Sequence, residues 1–150
     1  ETVTRLVQAQ FPQWADLPIR PVTPGGWDNV TFRLGDDMGL RLPSATRYAG
    51  QVPKEARWLP VLAQHLPVAV PRYVAVGTPG FGFRFDWAVF DWLPGATLTQ
   101  DADQARVVQD LVACLTALWQ VPTEGGPEAG QQSFHRGGAL EVYARAARRR

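Results

Sequence analysis

Gly25-Gly26-Trp27-Asp28-Asn29-Val30-Thr31-Phe32-Arg33-Leu34, then Gly35-Asp36-Asp37, then Met38-Gly39-Leu40-Arg41-Leu42-Pro43 is the stretch on which the fold turns. It reads as a glycine-led loop, a strand, a tight turn and a second strand. Val30, Phe32 and Leu34 alternate with polar residues, and Met38, Leu40 and Leu42 alternate likewise, the period-two pattern of half-buried strands. A three-residue turn at Gly35-Asp36-Asp37 sets Leu34 opposite Met38, Phe32 opposite Leu40 and Val30 opposite Leu42. A two-residue turn would pair apolar with polar positions and wet half of them. The three-residue register therefore places Thr31 and Arg33 on the second face, with Gly39 and Arg41, beneath a loop opened by two glycines.

That second face offers a bare backbone patch and a fixed cation, and two readings fit it. One is an ordinary hairpin with a surface arginine. The other is a nucleotide site, in which a flat base slides under Gly39 while Arg41 reaches phosphates that the loop amides cover. Short motifs misfire often, so the stretch alone leaves both open.

A chain of 150 residues is the usual size of a single domain. With 45% hydrophobic and 19% charged residues it is ordinary globular material rather than disordered or fibrous. A net charge of +1 gives no general pull toward nucleic acid or membrane. Lys54 is the only lysine, so the cation at position 41 is an arginine with no lysine nearby to replace it. The single cysteine, Cys114, excludes an internal disulfide and fits a reducing cytoplasm. Among Val112, Leu115 and Leu118 on a helical pattern, it reads as a core thiol. No run approaches the roughly 18 apolar residues of a membrane span. The opening Glu1-Thr2-Val3-Thr4 is no signal peptide, and the missing Met points to a trimmed or fragmentary chain. His65 and His135 have no metal-site spacing, and no internal repeat is present.

Thr2 to Phe11 carries Val3, Leu6 and Val7 at helical spacing, with Thr2 or Thr4 as a cap. Prolines at 12, 18, 21 and 24 then predict extended chain, with Ile19 to Thr23 a short edge strand. Val52, Ala56, Leu59, Ala63 and Leu66 form one helical stripe, in which Pro60 should bend or divide the helix. Glu55 lies beside that stripe, either reaching inward to a cation on the sheet or solvated in a first turn. Arg72 to Val76 and Phe83 to Asp91 read as strands around a Gly77-Thr78-Pro79-Gly80-Phe81-Gly82 hairpin loop, and Leu93-Pro94-Gly95 stops the sheet. Asp101-Ala102-Asp103-Gln104 starts a helix with an apolar face from Val107 to Trp119. Thr123 to Ser133 is a loop, and Gly138 to Arg150 begins another helix. Its Arg148-Arg149-Arg150 is read as a wet helix face rather than a nucleic-acid patch, no basic stripe or aromatic interleaving being present elsewhere.

This order of elements resembles a protein-kinase-like amino-terminal lobe, and the sequence is similar to the aminoglycoside phosphotransferase family. The resemblance covers nearly all of the chain. It rests on Gly25 to Asp37, on Met38 to Pro43, on Lys54-Glu55-Ala56-Arg57-Trp58-Leu59-Pro60 and on Val89-Phe90-Asp91-Trp92-Leu93-Pro94-Gly95. It implies an α+β fold: a five-stranded antiparallel sheet plus one helix over residues 1–93, then a linker and the opening helices of an incomplete helical lobe over 94–150. By the resemblance, Arg41 stands where the family keeps a phosphate-binding Lys or Arg, with Glu55 its helix carboxylate at about 4 Å. Gly26, Trp27, Asp28, Asn29 and Thr31 belong to the nucleotide-covering loop, and Gly39 to the adenine ceiling. Phe90 backs the base, and the Asp91 carbonyl and Leu93 amide hydrogen-bond its edge. Arginine at 41 departs from the commoner lysine but keeps the charge.

The resemblance implies ATP or GTP with Mg²⁺ as cofactors and a small-molecule hydroxyl as acceptor. The family's His-Gly-Asp catalytic loop and metal-binding segment have no match here and are expected beyond residue 150, so no catalytic residue is assigned within the chain. The expected activity is that of the amino-terminal part of a cytoplasmic small-molecule kinase, akin to antibiotic-resistance enzymes. A nucleotide-binding pseudokinase-type module without catalysis is the alternative. No nucleic-acid or membrane partner is expected, and an oligomer is possible.

Overall fold

Period-two alternation sorts strands into two faces before any helix is placed. The computed structural model describes residues 1–130, 133 and 135–141. Five strands, β1 (Ile19–Pro21), β2 (Asn29–Leu34), β3 (Met38–Pro43), β4 (Tyr73–Gly77) and β5 (Trp87–Asp91), form one antiparallel sheet in the order β1-β2-β3-β5-β4. The β2–β3 register sets Leu34 opposite Met38, Phe32 opposite Leu40, Thr31 opposite Arg41 and Val30 opposite Leu42, around the three-residue turn. Gly35 opens that turn at a φ of 60°, a backbone conformation that costs glycine nothing.

One face of the sheet is the core. Helix α1 (Thr2–Gln10) lays Leu6 and Val7, both fully buried, against Leu34, Leu40, Leu42, Trp87 and Val89. Each such side chain contributes roughly 1.5–3 kcal/mol on full burial, which is what pins the register. The other face, one residue out of phase, carries Thr31, Arg33, Gly39, Arg41 and Phe90. Helix α2 (Gln51–His65) lies across it, and α3 (Gln104–Trp119) touches α2 in turn. The α+β class with its five-stranded antiparallel sheet is as the sequence leads one to expect, and helices cover both faces of that sheet.

Local expectations are corrected at several points. Neither Thr2 nor Thr4 caps α1; Glu1 holds the cap position without a side-chain hydrogen bond. Pro12–Trp14 is a 3₁₀ turn rather than extended chain, since proline is at home in a first helical turn. Strand β1 stops at Pro21, although the Val22 amide still donates to the Thr31 carbonyl. Helix α2 runs through Pro60 undivided. Strand β5 begins at Trp87, four residues late, because Gly80 and Phe83 close a small hairpin in which Phe81 and Gly82 take positive φ. Asp103, not Asp101, caps α3, its carboxylate accepting from the Arg106 amide. Val30 is 49% exposed rather than part of the core. Cys114 is half-buried on α3. Most of the helix expected from Gly138 to Arg150, including its three final arginines, lies outside the described residues; Leu140 and Glu141 are helical.

Candidate functional site

Arg41 lies at the centre of the face opposite α1. Its Nη1 donates to Glu55 Oε2 at 2.7 Å, joining β3 to α2. The Tyr73 hydroxyl, from β4, donates to the same carboxylate oxygen at 2.6 Å. Burial raises the Tyr73 phenol far above its ordinary pKa, and the bond to Glu55 and its negative charge raise it further. The phenol therefore remains a donor throughout the physiological range. The Arg41 guanidinium also stands over the Phe90 ring, 5.1 Å from its centroid. With one N–H on Glu55, the arginine keeps further donors for a ligand.

The glycine-led loop roofs a polar cleft of about 510 Å³, lined by Gly26, Trp27, Asp28, Asn29, Thr31, Arg41, Gln51 and Glu55. Its backbone is pinned from below, where Ser44 Oγ donates to the Trp27 carbonyl at 2.7 Å and the Ser44 amide donates to the Asp28 carbonyl at 2.9 Å. It is also tied to the start of α2: Asn29 Nδ2 donates to Gln51 Oε1 at 3.1 Å, and Gln51 Nε2 to Asp28 Oδ2 at 3.4 Å. The Trp27 ring, by contrast, is 92% exposed.

A second hollow of about 250 Å³ adjoins the cleft through Thr31 and Arg41, and Pro71, Phe90, Trp92 and Leu93 complete its lining. Phe90 and Trp92 stack with centroids 6.3 Å apart, and the Arg33 guanidinium lies 4.2 Å from the Trp92 ring centroid. Here Gly39 is corrected. It is no bare patch, because the Phe90 ring occupies the space a side chain would take: a Cβ on Gly39 would meet Phe90 Cζ at 2.4 Å. The glycine admits the aromatic, and the aromatic supplies the flat apolar surface. Asp91 lines neither hollow; its carboxylate accepts from Arg72 Nε at 2.9 Å and its amide donates to the Arg72 carbonyl. The Trp92 amide is held by the Asp37 carbonyl, whereas the Leu93 amide has no hydrogen-bond partner among the described residues.

The structure thus brings Gly26, Trp27, Asp28, Asn29, Thr31, Arg41 and Glu55 into one cleft, and sets Phe90 and Leu93 beside it. Ser44, Gln51, Pro71, Tyr73 and Trp92 were not singled out from the sequence. Tyr73 pairs with Phe90 across β4 and β5, but a register shift between Tyr73 and Ala75 hides that pairing from the sequence pattern. Ser44 and Gln51 carried no signal either, since their partners lie across loops.

The model of the phosphotransferase enzyme family, APH, matches residues 19–150. The chain belongs to that family. No curated protein matches it. Among solved structures, the GDP and kanamycin complex of APH(2″)-IIIa shares the fold at a TM-score of 0.71 and 23% identity, covering 81% of this chain and 42% of that one. The GDP complex of wild-type aminoglycoside 2′-phosphotransferase-IIIa gives 0.71 and 24%, with the same coverage. The apoenzyme of a macrolide 2′-phosphotransferase from Brachybacterium faecium, at a TM-score of 0.45, 26% identity and 68% and 35% coverage, is too distant to bear on the fold. The chain spans 42% of the length of the two aminoglycoside phosphotransferases. The kinase-like fold of the aminoglycoside phosphotransferases is therefore shared by this family member.

Proposed function

We propose that the chain forms the nucleotide clamp of an ATP- or GTP-dependent phosphotransferase acting on a hydroxyl of a small molecule. One observation carries the reading: Arg41, fixed by Glu55, stands at the seam between a polar cleft under a glycine-led loop and a flat aromatic hollow. A nucleotide has that polarity, a flat base at one end and a polyanion at the other. The base would lie along Phe90 and Trp92, with the Leu93 amide at its edge and the Asp91 carbonyl alongside. Arg41 and the amides of Gly26 to Asn29 would meet the phosphates. The GDP bound in the two solved aminoglycoside phosphotransferases supports a nucleotide as the ligand.

Mg²⁺, when bound with the nucleotide, would neutralise charge developing on the transferred phosphoryl group. Among the described residues no cluster of three or more His, Cys, Asp or Glu side chains could hold a metal ion. The role argued for this chain's own residues, Arg41, the loop amides and Phe90, is binding and orientation. No described helix is long and apolar enough to cross a membrane. Titration of ADP and GDP against the full-length protein tests the proposal. Arg41→Ala should weaken binding at least tenfold, about 1.4 kcal/mol, and unchanged affinity would remove Arg41 from the site.

A further inference from the structure

We propose that Tyr73 is a positioning residue: it latches α2 to the sheet through Glu55 and so keeps Arg41 aimed into the cleft. The inference rests on the nucleotide reading for what Arg41 is aimed at, but the latch itself is a feature of the apo structure. Glu55 Oε2 receives two short bonds at once, 2.7 Å from Arg41 and 2.6 Å from Tyr73. The two donors come from different strands, β3 and β4, so the carboxylate is triangulated rather than merely paired.

Val52 is the one fully buried side chain of α2 among the described residues, and Ala56, Trp58, Leu59, Val61 and Leu62 are half-buried. That packing seats the helix but sets no fixed reach for the Glu55 carboxylate, and Gln51 fixes only the end nearest the loop. An arginine on a long flexible stem can follow a helix that drifts, keeping its ion pair while losing its aim. A phenol cannot. Tyr73 has two side-chain torsions and a rigid ring, so its hydroxyl fixes how far Glu55 stands from the sheet. A tyrosine that merely filled space would bury a hydroxyl at a cost with nothing to offset it; here the hydroxyl meets the residue that orients Arg41. A two-strand anchor opposes any drift of α2 away from the sheet.

The test is Tyr73→Phe in the full-length protein, which removes one oxygen and keeps the ring. Amide exchange should rise about fivefold or more across Gln51–His65 while the β3 and β5 amides stay protected. Affinity for ADP or GDP should fall about three- to tenfold, and adding Tyr73→Phe to Glu55→Ala, which removes the acceptor of the Tyr73 hydroxyl, should weaken binding no further. Wild-type exchange in α2 of the variant would overturn the proposal. So would unchanged nucleotide affinity in Tyr73→Phe where Arg41→Ala has lost it. If wild type binds neither ADP nor GDP, the proposed function falls, and the exchange measurement alone then decides the latch.

Discussion

Gly39 shows how one absent side chain sets both packing and surface. Its hydrogen is the only substituent that lets Phe90 lie against β3, so the two residues together make the apolar floor beside Arg41. Gly39→Ala would put a Cβ 2.4 Å from the Phe90 ring, and ring or strand must move. The expected destabilisation is about 1–3 kcal/mol, the usual cost of overpacking, read from the urea midpoint. Phe90→Leu in the same chain should recover much of it, and additive losses would show that the two do not clash. Tyr73 gives a second residue-scale expectation. Its phenol is raised in the fold, so the folded state holds a proton that the unfolded chain releases near pH 10. That stabilisation is fully present below about pH 10 and is lost as pH rises further toward the folded value. Stability should therefore decline above pH 10, and Tyr73→Phe should flatten the decline. An identical alkaline limb in the variant would contradict the assignment.

At the scale of elements, the β2–β3 hairpin was wholly legible because a slip of one residue turns every apolar side chain outward, so pattern alone fixed turn length and register. The pairing of Arg41 with Glu55 came from the family resemblance, since Glu55 by itself read equally well as a solvated carboxylate in a first helical turn. Legibility failed where partners are distant in sequence and carry no period. Ser44 under the loop, Gln51 on Asp28 and Tyr73 on Glu55 are single hydrogen bonds, which leave no repeating trace. It failed in the other direction at Gly39, where an apparent vacancy is filled by a ring two strands away in sequence order. Pro60 is the sharpest conflict between local preference and structure, being exposed within an unbroken α2. Proline there forfeits an intrahelical bond and clashes with the preceding turn, about 3 kcal/mol against alanine. Its restriction of the unfolded chain returns only about 0.4–1 kcal/mol. Pro60→Ala should therefore stabilise the protein by about 2–2.6 kcal/mol, seen as a higher urea midpoint at constant slope. A lower midpoint would mean that Leu59 and Leu62 need the geometry proline imposes.

At the scale of the molecule, the sheet and the far side of α3 are satisfied to very different degrees. The sheet buries Leu6, Val7, Leu34, Leu40, Trp87 and Val89 completely. Helix α3 buries no side chain fully, and Val108, Leu111, Val112, Leu115, Leu118 and Trp119 are exposed along it at spacings of three and four, with Trp119 at 91%. That is a continuous apolar stripe facing water, well beyond the scattered apolar residues of an ordinary surface. Covering what remains exposed of each residue is worth about 1 kcal/mol, half of a full burial. Two copies meeting through this stripe would gain about 12 kcal/mol gross, against an association cost of about 4–15 kcal/mol. The 150-residue chain tested alone should therefore self-associate in the micromolar range or above, with the sheet and cleft unchanged. Leu111→Glu with Leu115→Glu places charges at the centre of the stripe, where nothing would pair them. Sedimentation velocity should then show a concentration-dependent species in the original chain and a monomer in the double variant. A monomer at every concentration in both would mean that the stripe does not drive association.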